Sequence, residues 1–473
     1  MFNDDFFNDD ELEDFDEILK EFFKMKNDAP HHIIDEEDFE FLIDYFTINN
    51  DKENHIYACE KAVSLYPYSS ELLIRKAECY ISQKKYGQAL KTIDQLEEIS
   101  PNNINAVFLK SDILLEQNRF TEAAHVLESN LDFFEGNEKT DILLELSEVY
   151  DELEDYKKVY QVLKDALLYQ PNNEEALLKI CFWAEINSLQ EDSIELHQHI
   201  IDEYPYNPLA WYNLGVAYQG LKLYEKAIDS FSYCIAIDDK FEYAYRNMGD
   251  AYIRLKQFKK AIEVLETHLN ITKPEDIILE AIGYCWDKQK EYSKARDYYR
   301  KASQLNPQGD QIFYKIGETY TKEGQWEKAI KAYSLALHHN KNNVSYCLAL
   351  GNCLMEISAE KEAIVCYLNA VQLRPDIKST WQSLIRALYL ANYLDEALTQ
   401  IQIAEDHCGF KVEFVYYKAA ILLSKGKTKE AVIQLEDALA INPKKISALK
   451  FINKELILHS AFAEVLVRNK KKK

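Results

Sequence analysis

Apolar and polar positions along this chain carry two superimposed periods. The shorter is helical: over stretches of about a dozen residues, apolar side chains return every three or four positions. The longer is 34 residues. The octet WYNLGVAY, Trp211 to Tyr218, returns as YRNMGDAY, LEAIGYCW, FYKIGETY and CLALGNCL, so that Gly215, Gly249, Gly283, Gly317 and Gly351 stand 34 apart. A second ladder at the same spacing runs Ala227, Ala261, Ala295, Ala329, Ala363, Ala397, Ala431, twelve residues after the glycines. Short polar connections such as GLKLYEK and LKQFKK separate the two columns. Each period therefore predicts two antiparallel helices, and the chain reads as all-α.

The small columns mark where paired backbones approach closely. Large residues recur beside them: Tyr218, Tyr252, Trp286 and Tyr320 close first helices, and Phe231, Leu265, Tyr299, Tyr333 and Tyr367 fill second helices. Proline, which cannot continue a helix, follows many second helices, at Pro67, Pro101, Pro171, Pro205, Pro307, Pro375 and Pro443.

This pattern resembles the tetratricopeptide repeat (TPR), whose W-x2-L-G-x2-Y…A…F…P signature is matched by Trp211, Leu214, Gly215, Tyr218, Ala227 and Phe231, with Asp239 in the proline's place. The resemblance implies a right-handed α-solenoid of about twelve tandem helix-turn-helix repeats with terminal capping helices. Repeats begin near Glu36, Ser70, Ile104, Thr140, Glu174, Pro208, Glu242, Asp276, Asp310, Val344, Lys378 and Val412. The expected organisation is an acidic, aromatic segment over 1–35, the array over 36–445, and an apolar capping helix with a lysine tail over 446–473. Ile43 and His55 depart from the small columns in the first repeat, and Ile385 in the eleventh, where a slight splay is expected. Two extra residues around FFEGNEK break the register and suggest a softer joint.

Composition narrows the function classes. A chain of 473 residues is long for one core and suits an array. Its start is acidic where a secretory signal is basic, and no apolar run reaches the ~18 residues of a membrane span, so no membrane insertion and a cytoplasmic location are expected. Nine cysteines without a CxxC pair argue against a disulfide framework or zinc site. Cys79, Cys285 and Cys353 share one first-helix column, Cys181 takes the glycine column and Cys234 a small column, which reads as packing. His197 and His199 point in different directions on one helix, and His338 and His339 sit at a helix end, so the histidines read as structural. With no phosphate loop, serine elbow or HExxH, the reading is a non-enzyme with no cofactor and no metal.

Charge adds a lead. Residues 1–173 hold 40 acids and 16 bases, whereas residues 174–473 hold 40 and 39; from Phe410 the balance reverses to 14 bases against 6 acids. The resemblance implies that first helices line a concave face whose second, fifth, sixth, ninth and twelfth positions meet ligands. In repeats one to four the ninth position is Asp44, Glu78, Asp112 and Glu148. The second position offers Glu37, Glu71, Asp141 and Glu175, and the fifth Ile74, Phe108 and Leu144. Two acidic rows beside an apolar strip suit a basic, partly apolar protein segment. A second candidate is the pair Asn213 and Asn247 at the sixth position, similar to the asparagine ladders that hold peptide backbone in some relatives, with Tyr212, Tyr243, Arg246, Asp250 and Arg254 around it. The Lys/Asn order of a carboxylate clamp occurs nowhere.

At the ends, Leu12, Phe15, Ile18, Leu19, Phe22 and Phe23 form an amphipathic helix suited to capping the first repeat, preceded by FNDDFFNDD, whose aromatics read as disordered and partner-seeking. In ISALKFINKELILHSAFAEVLV, one apolar line (Leu449, Ile452, Leu456, Leu466) caps the last repeat. A second (Phe451, Leu458, Phe462, Val465) is the candidate surface for a homodimer through the C-terminal helix. The leading functional reading is an adaptor or scaffold binding a protein or peptide partner. The alternatives are a ribosome- or RNA-associated assembly factor and a regulatory subunit of a separate enzyme. Four terminal lysines without interleaved aromatics argue against nucleic acid.

Overall fold

The computed structural model describes residues 9–30 and 32–471, which divide into two compact units, Met1–Ala244 and Tyr245–Lys473. Lys472, Lys473, the side chain of Leu12 and nearly all of FNDDFFNDD lie outside the described residues. Among the described residues every regular element is helical, and within each unit a helix packs on those before and after it along the chain, the stacking of an α-solenoid. None of these helices is long and apolar enough to cross a membrane.

First helices begin at Glu36, Ser70, Ile104, Gly136, Glu174 and Pro208 in the first unit, and at Asp276, Asp310, Val344, Lys378 and Val412 in the second. Several starts are capped by the residue just before them: Ser69, Asn103, Asn173, Asn207 and Asn343 each accept a backbone N–H of the first turn. The turn inside each pair is built another way. Positions 50, 84, 118, 154, 188, 222, 256, 290, 324, 358, 392 and 426 all have positive φ, although only Gly324 and Gly426 are glycine. The next N–H then reaches back to the residue five positions earlier, as from Leu223 to the Tyr218 carbonyl and from Gln325 to that of Tyr320, both at 2.9 Å. In seven of these twelve turns an aromatic near the end of the first helix supplies that carbonyl, and in the others leucine or alanine does.

The glycine column exists to seat a large side chain of the second helix: a ring at four glycines, and Leu265, 2.4 Å from a Cβ built on Gly249, at the fifth. A Cβ built on Gly215 would lie 2.4 Å from Phe231, on Gly283 2.6 Å from Tyr299, on Gly317 2.5 Å from Tyr333 and on Gly351 2.7 Å from Tyr367. Sixteen positions separate each glycine from that side chain, and the same spacing locates the exceptions. Ile385 stands sixteen positions before Ile401 and Ile43 sixteen before Cys59, all four buried, so where the first column carries isoleucine the second carries no ring.

Cys181 extends the rule, because the residue sixteen on is His197, fully buried. Its Nδ1 lies 2.7 Å from the Ser193 carbonyl and donates to it, while Nε2 has no hydrogen-bond partner among the described residues. Burial holds this imidazole down at about 4. The unfolded chain, near 6.5, therefore takes up the proton first, and stability is lost as pH falls from about 6.5 to about 4. His197→Leu, the residue found at the equivalent Leu163, should remove about 2 kcal/mol of the loss between pH 7 and pH 5, read from denaturant midpoints at the two pH values.

The FFEGNEK insertion is ordered. Leu131–Phe133 form one 3-10 turn, Phe134 is buried, and the following helix starts early, at Gly136, and runs 17 residues. The helix Asp9–Lys26 caps the first pair with Phe22 and Met25 buried, and Phe22 lies 5.0 Å from the ring of Phe46.

At the other end the apolar run is not one helix. It breaks at Asn453 into Ser447–Ile452, a 3-10 turn Lys454–Leu458, and Ser460–Lys471. That fold-back corrects the expected self-association face. Phe462 and Val465 are buried beside Leu449 and Ile452, whereas Phe451 remains partly exposed, its ring 5.2 Å from Arg386, and Leu458 is 82% exposed. The second apolar line is split between core and solvent and offers no continuous surface.

Candidate partner-binding face

In the first unit, Asp44, Glu71 and Glu78 gather round one cation. Arg75 lies 3.6 Å from Asp44, 3.2 Å from Glu71 and 3.9 Å from Glu78. Further along, Lys179 sits between Glu148 at 3.0 Å and Glu175 at 2.7 Å. Two bases thus serve five of the predicted acids, and Asp112 has no ion pair with a base among the described residues.

Paired or not, the carboxylates of this face also repel one another. Desolvation raises Glu78 above its ordinary value against the opposing charge of Arg75, and the charges of Glu71, Asp112 and Asp44 add to the rise. Asp112 is raised by desolvation and Glu116, and Glu145 by desolvation with Asp112, Glu148 and Glu175. Glu40 and Asp141 move the same way. These groups hold their charge at a cost that an incoming cation would lower.

The predicted apolar strip is mostly used internally. Ile74 and Leu144 are buried and Phe108 is half-buried. The exposed apolar surface lies one repeat further on. Leu178, Phe182 and Ile186, spaced four apart on the helix Glu174–Ile186, are 59%, 55% and 50% exposed. They share that helix with Glu175 and Lys179. Leu178 and Phe182 occupy the fifth and ninth positions of repeat five, so the column pattern that marks the acids, carried on by one repeat, points to them.

Clefts lie on both sides of this stripe. One, of about 620 Å3, is lined by Glu148, Asp151, Glu152, Lys179, Phe120 and Trp183 among others, with Trp183 stacked on Tyr156 at 5.3 Å. The other, of about 630 Å3, is walled by Leu178, Leu209, Phe241 and Tyr243, with Glu174, Asp238 and Lys240 at its polar edge. Tyr212 packs 5.1 Å from Phe241, which places both predicted tyrosines by this second cleft.

The asparagine ladder is corrected. Asn213 is buried and its amide donates to the Leu177 carbonyl at 2.7 Å, so it ties repeat six to repeat five. A peptide-holding rung needs that amide in solvent. Asn247, half-buried, belongs to the second unit. There Arg246 lies 3.9 Å from Glu275, and Arg254 pairs with Asp250 at 3.4 Å.

Comparisons with known proteins agree with the helix pairs. Tetratricopeptide repeat family models match residues 208–241, 244–277, 278–308 and 313–345. The model for anaphase-promoting complex, cyclosome, subunit 3 matches residues 48–130. No curated protein sequence matches the chain. Among solved structures, YrrB, a TPR protein with an unusual peptide-binding site, is 16% identical, with 41% of this chain and 97% of that one covered and a TM-score of 0.35. The C-terminal part of a TPR repeat-containing protein from Cytophaga hutchinsonii is 17% identical, with 51% and 98% covered and a TM-score of 0.45. MamA is 18% identical, with 36% and 92% covered and a TM-score of 0.34. With repeat models matching in both units and the glycine, alanine and aromatic columns packed as described, the chain belongs to the tetratricopeptide repeat proteins.

Proposed function

We propose that the protein is a cytoplasmic, non-enzymatic adaptor whose first unit captures a basic, partly apolar segment of another protein. Tetratricopeptide repeats are in general a protein-interaction scaffold and typically non-catalytic, which supports the broad class. The observation that carries the specific reading is the exposed stripe Leu178, Phe182, Ile186 flanked by carboxylates held above their ordinary range. Apolar side chains of the segment would bury on the stripe and in the adjoining clefts. Its lysines or arginines would meet Glu148, Asp112 and Glu78 and relieve their mutual repulsion, which supplies steering as well as affinity.

A selection of random displayed peptides on the full-length protein at low salt tests this without presupposing any particular partner. Enriched sequences are expected to carry several bases and at least one large apolar residue, and to elute as salt is raised. Enrichment of acidic peptides, or binding indifferent to salt, would overturn the reading.

A further inference from the structure

His55, Cys59 and Cys79 converge in the first unit, although no CxxC motif announces them. His55 and Cys59 stand four apart on the helix Lys52–Leu65 and so share one of its faces, and Cys79 comes from the neighbouring helix Ser70–Ser82. One ligand atom from each lies within 4.8 Å of the other two. Both cysteines are buried and free, and His55 is half-buried.

The surroundings already resemble an outer shell. Gln83 donates its amide N–H to the Cys79 sulfur at 3.4 Å. Thr47 donates its hydroxyl to the Ile43 carbonyl at 2.8 Å, which leaves Thr47 Oγ1 to accept from His55 Nε2, 3.3 Å away, so that Nδ1 keeps the free lone pair. Tetrahedral zinc with sulfur at about 2.3 Å and nitrogen at about 2.0 Å needs ligand atoms roughly 3.5–3.8 Å apart. No pair of the observed ligand atoms is more than 4.8 Å apart.

We propose that His55, Cys59 and Cys79 form a binding site for one thiophilic d10 metal ion, zinc(II) or copper(I), linking the first helix pair to the second. Three protein ligands leave one position open to water or a small donor with zinc, or complete a trigonal site with copper(I). Binding releases the thiol protons to solvent and involves no redox change.

The test uses the full-length protein, reduced, stripped with chelator and kept anaerobic. Cobalt(II) as a zinc surrogate should give one equivalent of a tetrahedral visible spectrum with thiolate-to-cobalt charge transfer, displaced by zinc; copper(I) is measured in parallel against a chromophoric chelator. Displacement by zinc assigns that ion, and stoichiometric binding in the copper arm alone assigns copper(I). Cys59→Ser, Cys79→Ser and His55→Ala should each abolish the stoichiometric site, and Gln83→Leu should weaken it about tenfold. Cys285→Ser, at the same column position in the second unit, should leave it intact. Helical circular dichroism separates a lost site from a lost fold, and His55→Ala, at a half-buried helix position, remains informative if a cysteine variant fails to fold. Failure of both metal arms in the wild-type protein, or binding unaffected by these substitutions, overturns the proposal.

Discussion

Gly317→Ala should destabilise the protein by about 1–2 kcal/mol, although alanine in a helix is intrinsically better than glycine by about 0.5–1 kcal/mol. The sign is decided by Tyr333. The new methyl would sit 2.5–2.9 Å from three atoms of that ring. The ring cannot easily retreat: it is buried, lies 5.4 Å from Tyr314, and its hydroxyl is 3.1 Å from Thr321. A second substitution, Tyr333→Leu, should recover much of the loss, because alanine opposite leucine already occurs at Ala419 and Leu435 in the same unit. In a double-mutant cycle read by chemical unfolding, the coupling should be about 1–3 kcal/mol in favour of the double variant. Simple additivity, or a stabilising Gly317→Ala, would show that the column does not exist to seat the ring.

Phe182→Asp should cost the selected basic peptides about 2 kcal/mol of affinity, roughly thirtyfold, since it removes a central apolar anchor. The variant Asp44→Asn, Glu78→Gln, Asp112→Asn, Glu148→Gln should act differently, lowering affinity at low salt and flattening its salt dependence. It should not weaken the fold. Glu78 and Asp112 are raised in the folded protein, so their ionisation opposes folding at neutral pH; amides remove that opposition, and unfolding midpoints should hold or rise. Isothermal titration with one selected peptide separates the two effects.

The helical pairs are legible because a 34-residue period leaves little else to build. The turn column is hidden, since a left-handed position filled by Lys222, Lys256 or Glu154 carries no glycine to mark it. The acidic rows are legible from column membership alone. Which apolar residues stay exposed is not: Ile74 and Leu144 are consumed by packing, whereas Leu178 in the same column is left outside. Asn213 misleads for a related reason, because exposure of an amide depends on the Leu177 carbonyl beside it. The C-terminal run has the pattern of one helix, and the break at Asn453 sends Phe462 into the core. The His55, Cys59, Cys79 cluster is invisible in the sequence because its members meet across two helices.

The most direct test places a photo-reactive benzophenone side chain at Phe182 and, in a separate protein, at Leu168. The two positions are similarly exposed, 55% and 53%, but Leu168 lies on a second helix. With a selected basic peptide, binding on the first-helix face predicts a covalent adduct from position 182 and none from 168. Equal adducts from both, or an adduct from 168 alone, would contradict it.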